Sequence, residues 1–155
     1  MRHIHTLNAP TPGAYSQGVL VDPLTHCLLF VAGQTGNDPT KQDQPVVEGG
    51  IGPQTTQILK NILAIVREAG GNADSIVSME VYLKADDNLK VAREAYDQAY
   101  RGFFANHGMS RDQKNMPARV TLWVTEIPWE NEDTQIEIRA IAAIERRRIP
   151  NLRYD

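Results

Sequence analysis

The chain carries a single cysteine, Cys27, so no disulfide can form within it, a usage that suits a reducing compartment. Aromatic residues are scarce at 6%, and no basic stripe runs among them, which leaves no stacking platform for a nucleic-acid strand. Neither sign of charge dominates: the formal net charge is −3 and the isoelectric point is near 5.8. Electrostatics therefore give no reason to expect nucleic acid as a partner. The sequence has no apolar run of the roughly 18 residues that a membrane span requires. Its opening Met1-Arg2-His3-Ile4-His5 also lacks an apolar signal core, so no membrane association is expected and a cytoplasmic location is. Histidine is present only as His3, His5, His26 and His107. With no CxxC, HExxH, Walker loop or GxSxG elbow, neither a metal site nor a covalent nucleophile is announced. His3 and His5 alternate on an N-terminal segment expected to be exposed, which is a weak metal signal. Cys27 heads the apolar run to Ala32 and reads as an inert buried thiol rather than a nucleophile.

What is present is the composition of an ordinary globular protein, 41% hydrophobic and 23% charged over 155 residues. One domain over residues 1–155 would bury roughly two thirds of its unfolded surface. Two short apolar runs, Val19 to Val21 and Cys27 to Ala32, flank the turn-forming Asp22-Pro23-Leu24-Thr25-His26 and read as strands. Gly33-Gln34-Thr35-Gly36 is expected to break the second, and Asp38 to Gly52 to form a loop. From Pro53 to Ala69 the apolar residues Ile58, Leu59, Ile62, Leu63, Ile65 and Val66 recur at helical spacing, with Gly70-Gly71 as a stop. Asp74 to Lys84 switches to a period of two, placing Val77, Met79, Val81 and Leu83 opposite Ser78, Glu80 and Tyr82. A second helix is expected over about Asp87 to His107, its packed stripe formed by Ala92, Ala95, Tyr96, Ala99, Tyr100, Phe103 and Phe104.

Two closing strands follow. In the first, Val120, Leu122 and Val124 alternate with Arg119, Thr121 and Trp123; in the second, Ile136, Ile138, Ala140 and Ala142 alternate with Glu137 and Arg139. The order ββ-α-β-α-ββ implies an α+β layer with helices on one face of a sheet. The other face is expected to be mixed, with Trp123, Ile141, Thr121 and Tyr82 among Arg119, Glu137 and Glu80, and such a face suits a partner subunit.

Arg119 and Glu137 are the candidate chemistry. The planar fork of a guanidinium grips both oxygens of a small carboxylate, and Pro117-Ala118 stiffens the backbone leading to it. A nearby carboxylate steers water. Taken alone, an arginine at a strand end is more often a surface group or a structural ion pair, and a cross-strand pair with Arg119 or Arg139 would explain Glu137.

The ordered motifs add a resemblance. Ala14-Tyr15-Ser16-Gln17-Gly18 is similar to a G-P-Y-x-Q-G element, and Ala32-Gly33-Gln34 to an S-G-Q strand end. Glu68-Ala69-Gly70-Gly71, the strand Ser78 to Lys84, Pro117-Ala118-Arg119 and Ile136-Glu137-Ile138-Arg139-Ala140-Ile141-Ala142 then follow in sequence. Together they resemble the RidA/YjgF family of reactive-intermediate (enamine/imine) deaminases, members of which are also described as ribonucleases or translation inhibitors. The resemblance covers about residues 9–144, with 145–155 as a C-terminal tail.

It implies a chorismate-mutase-like fold, a mixed sheet covered by two helices on one face, assembled as a homotrimer with clefts between subunits. It also implies hydrolysis of 2-imino or 2-enamino acids, such as 2-aminoacrylate, to 2-keto acids and ammonia, with no metal or cofactor. Carried onto this chain, Arg119 clamps the substrate carboxylate, Glu137 holds the attacking water, and Tyr15 completes the catalytic group. Gly33 contributes its backbone to the cleft, Thr121 stands where many members have cysteine, and Asp97 where many have asparagine. Trp123 replaces a common carboxylate, and the loops at 108–115 and 129–134 are longer than usual. A ring-cleavage deaminase of the 2-aminomuconate type would use the same clamp in a larger pocket. A non-catalytic module sensing a small carboxylate would use the clamp alone. The basic run Arg146-Arg147-Arg148 is expected to be solvated or packed against a subunit.

Overall fold

The computed structural model describes residues 1–9, 15–85, 88–109, 115–127 and 133–149. Strands β1 (Arg2–Ile4) and β2 (Gly18–Leu20) pair as an antiparallel ribbon. Then follow β3 (His26–Thr35), α1 (Ile51–Glu68), β4 (Ile76–Lys84), α2 (Leu89–Asn106), β5 (Ala118–Val124) and β6 (Ile136–Glu145). The last four strands form one sheet in the order β3-β6-β4-β5. β4 and β5 run parallel, and the other neighbours antiparallel. A parallel neighbour cannot be reached by a hairpin, and α2 is the crossover that returns the chain from β4 to β5. The expected mixed sheet with two helices on one face is the observed fold.

The core lies between that face and the helices. Met79, Val81 and Leu83 of β4 and Ile136, Ile138 and Ala140 of β6 meet Ile58, Leu59, Ile62 and Val66 of α1, with Tyr96, Tyr100 and Phe104 of α2. Both helices stop by the same device. Gly70 and Gly108 take positive φ, at 86° and 75°. At the first end Gly71 N–H bonds the Val66 carbonyl and Gly70 N–H that of Arg67; at the second, Met109 bonds Phe104 and Gly108 bonds Ala105. This is the Schellman pattern, which needs a left-handed residue that glycine adopts without steric cost.

Several expectations are corrected. β1 is an additional strand, too short for alternation to reveal, and it leaves His3 half-buried rather than exposed. β3 does not stop at Gly33: its pairing with β6 slips between Val31 and Gln34 and resumes at Thr35, a bulge in place of a break. Cys27 is only half-buried, on an edge strand. Helix α1 begins at Ile51, two residues before Pro53, which still sits in the first turn. Ile65 of its expected apolar stripe is exposed. The expected start of α2 at Asp87, and most of the two long loops, lie outside the described residues. Arg147 and Arg148 both pair with Glu145, at 2.8 and 2.9 Å, so part of the basic run folds back on its own strand.

Candidate active site

Register decides which candidate residues meet. Arg119, Thr121 and Trp123 of β5 pair with Met79, Val81 and Leu83 of β4, and those pair in turn with Ala140, Ile138 and Ile136 of β6. Arg119, Thr121 and Trp123 therefore stand on the helix-covered face. Glu137 pairs with Tyr82 and Arg139 with Glu80, which puts Glu137 on the opposite, open face. The expectation that Arg119, Thr121 and Trp123 share the open face with Glu137 is thus corrected. Strand alternation tells which residues share a side, while the helices choose the side, and α2 packs over the polar edge of β5.

On the covered face Arg119 is held from several directions. Its Nη1 donates to the Tyr96 hydroxyl at 2.9 Å and its Nη2 to Asp97 Oδ1 at 3.2 Å. The guanidinium carbon lies 4.3 Å from the Tyr100 ring centre, 5.1 Å from that of Tyr96 and 6.0 Å from that of Tyr15. Aromatic faces attract a cation within about 6 Å, and the side chain is only 8% exposed. Burial pushes the Tyr96 phenol up to about 12, while Arg119 pulls it down, so Tyr96 is a neutral partner near neutral pH. Burial raises Tyr100 as well, and its hydroxyl meets no hydrogen-bond partner among the described residues. Among the described residues two of the five guanidinium N–H groups are committed, to Tyr96 and Asp97, and the other three meet no partner there.

The adjoining space is a cleft of about 350 Å³ lined by Tyr15, Asp97, Arg119, Thr121 and Trp123, with Arg93, Tyr96 and Arg101 of α2. Four of the six expected site residues, Tyr15, Asp97, Arg119 and Thr121, come together there. Gly33 and Glu137 form a second group. A Cβ at Gly33 would collide with the Glu137 carboxylate, so the glycine makes room for that side chain against the strand backbone. The Gln135 N–H, two residues ahead of Glu137, is fixed by Gln54 Oε1 at 2.9 Å. Glu137 makes neither of the proposed arginine pairs: Arg119 pairs with Asp97 and Arg139 with Glu80. No group of three or more His, Cys, Asp or Glu among the described residues suits a metal ion, and no described helix is long and apolar enough to cross a membrane.

The helical stripe predicts only a packing role for Tyr96 and Tyr100. The available signal was their hydroxyls, since a tyrosine buried in a helix stripe needs a polar partner that phenylalanine does not.

The ribbon holds Tyr15 at the cleft. Ser16 Oγ donates to the Met116 carbonyl at 2.6 Å and lies 2.8 Å from His3 Nδ1, so β1 is tied to the turn that precedes Arg119. Burial is the main influence holding the His3 imidazole below its ordinary range, with a backbone hydrogen bond to Met116 acting the other way. The folded chain thus favours neutral His3. The latch is fully stable above the unfolded value of about 6.5 and weakens as the pH falls below it, because the unfolded state then binds more protons. Amide protection across Arg2–Ile4 and Gly18–Leu20 should drop on acidification from about pH 7.5 to 5.5 and become insensitive in His3→Gln. Unchanged protection in the wild type would refute the latch.

The family model described as Endoribonuclease L-PSP matches residues 6–144. A "RutC family protein" from Aquifex aeolicus is 37% identical over 142 residues, 91% of this chain and 99% of the relative. The rat protein named 2-iminobutanoate/2-iminopropanoate deaminase is 34% identical over 90% of this chain and 87% of its own. Among solved structures, E. coli TdcF with bound serine superposes with a TM-score of 0.61 at 28% identity, covering 92% of this chain and 98% of that one.

Proposed function

The chain belongs to the RidA/YjgF family, and from that premise we propose that it hydrolyses reactive 2-imino and 2-enamino acids to 2-keto acids and ammonia. The observation that carries this reading is Arg119, buried, charged, held by Tyr96 and Asp97 and facing a small cleft. Relatives named as imine deaminases and one solved with serine agree with a ligand bearing an α-carboxylate.

On this reading the substrate carboxylate takes the remaining Arg119 donors, and an enamine substrate tautomerises to the imine. Glu137 holds a water that adds to the C=N carbon. The carbinolamine passes a proton to nitrogen, the C–N bond breaks, and ammonia leaves the 2-keto acid. Little covalent help is needed, because the substrate is already electrophilic and positioning supplies most of the rate.

Glu137 and Arg119 stand on opposite faces of one sheet, so the working site takes Arg119 from one copy and Gly33 with Glu137 from another. The open face suits such a contact: Phe30, 64% exposed, and Leu28 stand exposed on β3 at one edge, and Val120 and Leu122 on β5 at the other. Exposed apolar side chains on both edges of one face suit a protein interface, and a cyclic homotrimer would repeat the junction three times.

The test generates 2-iminopropanoate and 2-iminobutanoate in situ with an amino-acid oxidase and follows their decay. The protein should accelerate decay, and Glu137→Gln should abolish most of the acceleration while 2-keto acid binding persists. Keto-acid binding by the wild type with no acceleration would replace the deaminase with a carboxylate sensor.

A further inference from the structure

Arg119 is not the only arginine that lines the cleft. Arg93 and Arg101 of α2 line it too, each four residues from Asp97 and so about 6 Å along the helix axis on either side. A helical Arg-Asp-Arg stripe at this spacing would ordinarily be accounted for by ion pairs within the helix. Here Asp97 turns to Arg119 instead, and neither Arg93 nor Arg101 pairs with any acid among the described residues. The helix thus presents two unanswered guanidinium groups at the mouth of a cleft whose floor already holds a carboxylate clamp.

Resting on the proposed deaminase function, we infer that the substrate carries a second, distal carboxylate, bound by Arg93 or by Arg101, which lie on opposite sides of Asp97, while Arg119 takes the α-carboxylate. The substrate class is then a dicarboxylic 2-imino or 2-enamino acid. The cleft of about 350 Å³ admits a short diacid, and Arg93 and Arg101 line it together with Arg119. Asp97 has a part in this arrangement. It accepts from Arg119 Nη2, which fixes the orientation of this guanidinium toward one carboxylate. Arginine is suited to both positions because its fork discriminates a planar carboxylate from a neutral side chain.

Two measurements separate the subsite from the reaction it serves. Calorimetry compares 2-oxoglutarate and oxaloacetate with 2-oxobutanoate and pyruvate as product probes. The diacids should bind at least about tenfold more tightly at low salt, and the advantage should shrink as salt screens the exposed arginines. In the double variant Arg93→Gln/Arg101→Gln the ratio of diacid to monoacid affinity should fall close to one, with the single variants showing which arginine dominates. Equal affinity in the wild type, or a ratio that survives the double variant, would overturn the inference and leave the arginines to acids of a neighbouring copy. Imino-acid decay is followed alongside, using imines generated from glutamate or aspartate and from alanine. Acceleration without diacid preference keeps the deaminase and discards the subsite, whereas diacid preference in binding without acceleration does the reverse.

Discussion

Replacing Arg119 with lysine should weaken 2-keto acid binding roughly ten- to a hundredfold and depress deamination at least as far. A bidentate, charge-assisted contact is worth about 1.5–3 kcal/mol, and a lysine ammonium keeps the charge while losing the fork. Lysine also cannot donate to Tyr96 and Asp97 while offering a planar pair to the substrate. The side chain is packed among three tyrosine rings, so a thermal melt must accompany the assay. Arg119→Ala is expected to lose both activity and some stability, and Arg119→Lys mainly activity. Normal binding and turnover by a folded Arg119→Lys protein would sink the clamp.

The second large effect is expected on the open face of the sheet. Phe30→Asp with Leu122→Asp should yield a folded single copy with no measurable deaminase activity. Each exposed apolar side chain buried at a contact contributes about 1.5–3 kcal/mol, and a buried unpaired carboxylate costs several more. Light scattering measures the mass, and circular dichroism shows whether the α+β core persists. Neither residue touches the cleft beside Arg119, so loss of activity with loss of assembly ties the chemistry to contact between copies. A monomeric variant with full activity would return the whole site to one chain and exclude Glu137 from it.

Much of this was legible in the residues. Apolar spacing located both helices within a few positions, and alternation located β4, β5 and β6. It could not locate β1, because three residues do not make a period. Gly33 signalled a discontinuity, but a bulge and a strand end place the same residue in the same kind of position. The larger failure concerned β5. Hydrophobic residues ordinarily turn inward, yet Val120 and Leu122 are exposed while Arg119 and Thr121 face α2. Sequence alternation alone could not predict that inversion, since it depends on where a helix from another part of the chain comes to rest. The inversion is informative in itself: the polar side of β5 builds a cleft and its apolar side is left exposed.

The placement of Arg119 and Glu137 on opposite faces of one sheet has a genetic corollary. A chain damaged at Arg119 still offers a sound Glu137, and a chain damaged at Glu137 still offers a sound Arg119. Refolded together in equal amounts, two individually dead proteins should recover function wherever the sound halves adjoin, at roughly a quarter of the junctions in a randomly mixed ring. Two defective alleles would then complement one another, and failure of every such mixture to revive would mean that the two residues never serve the same substrate.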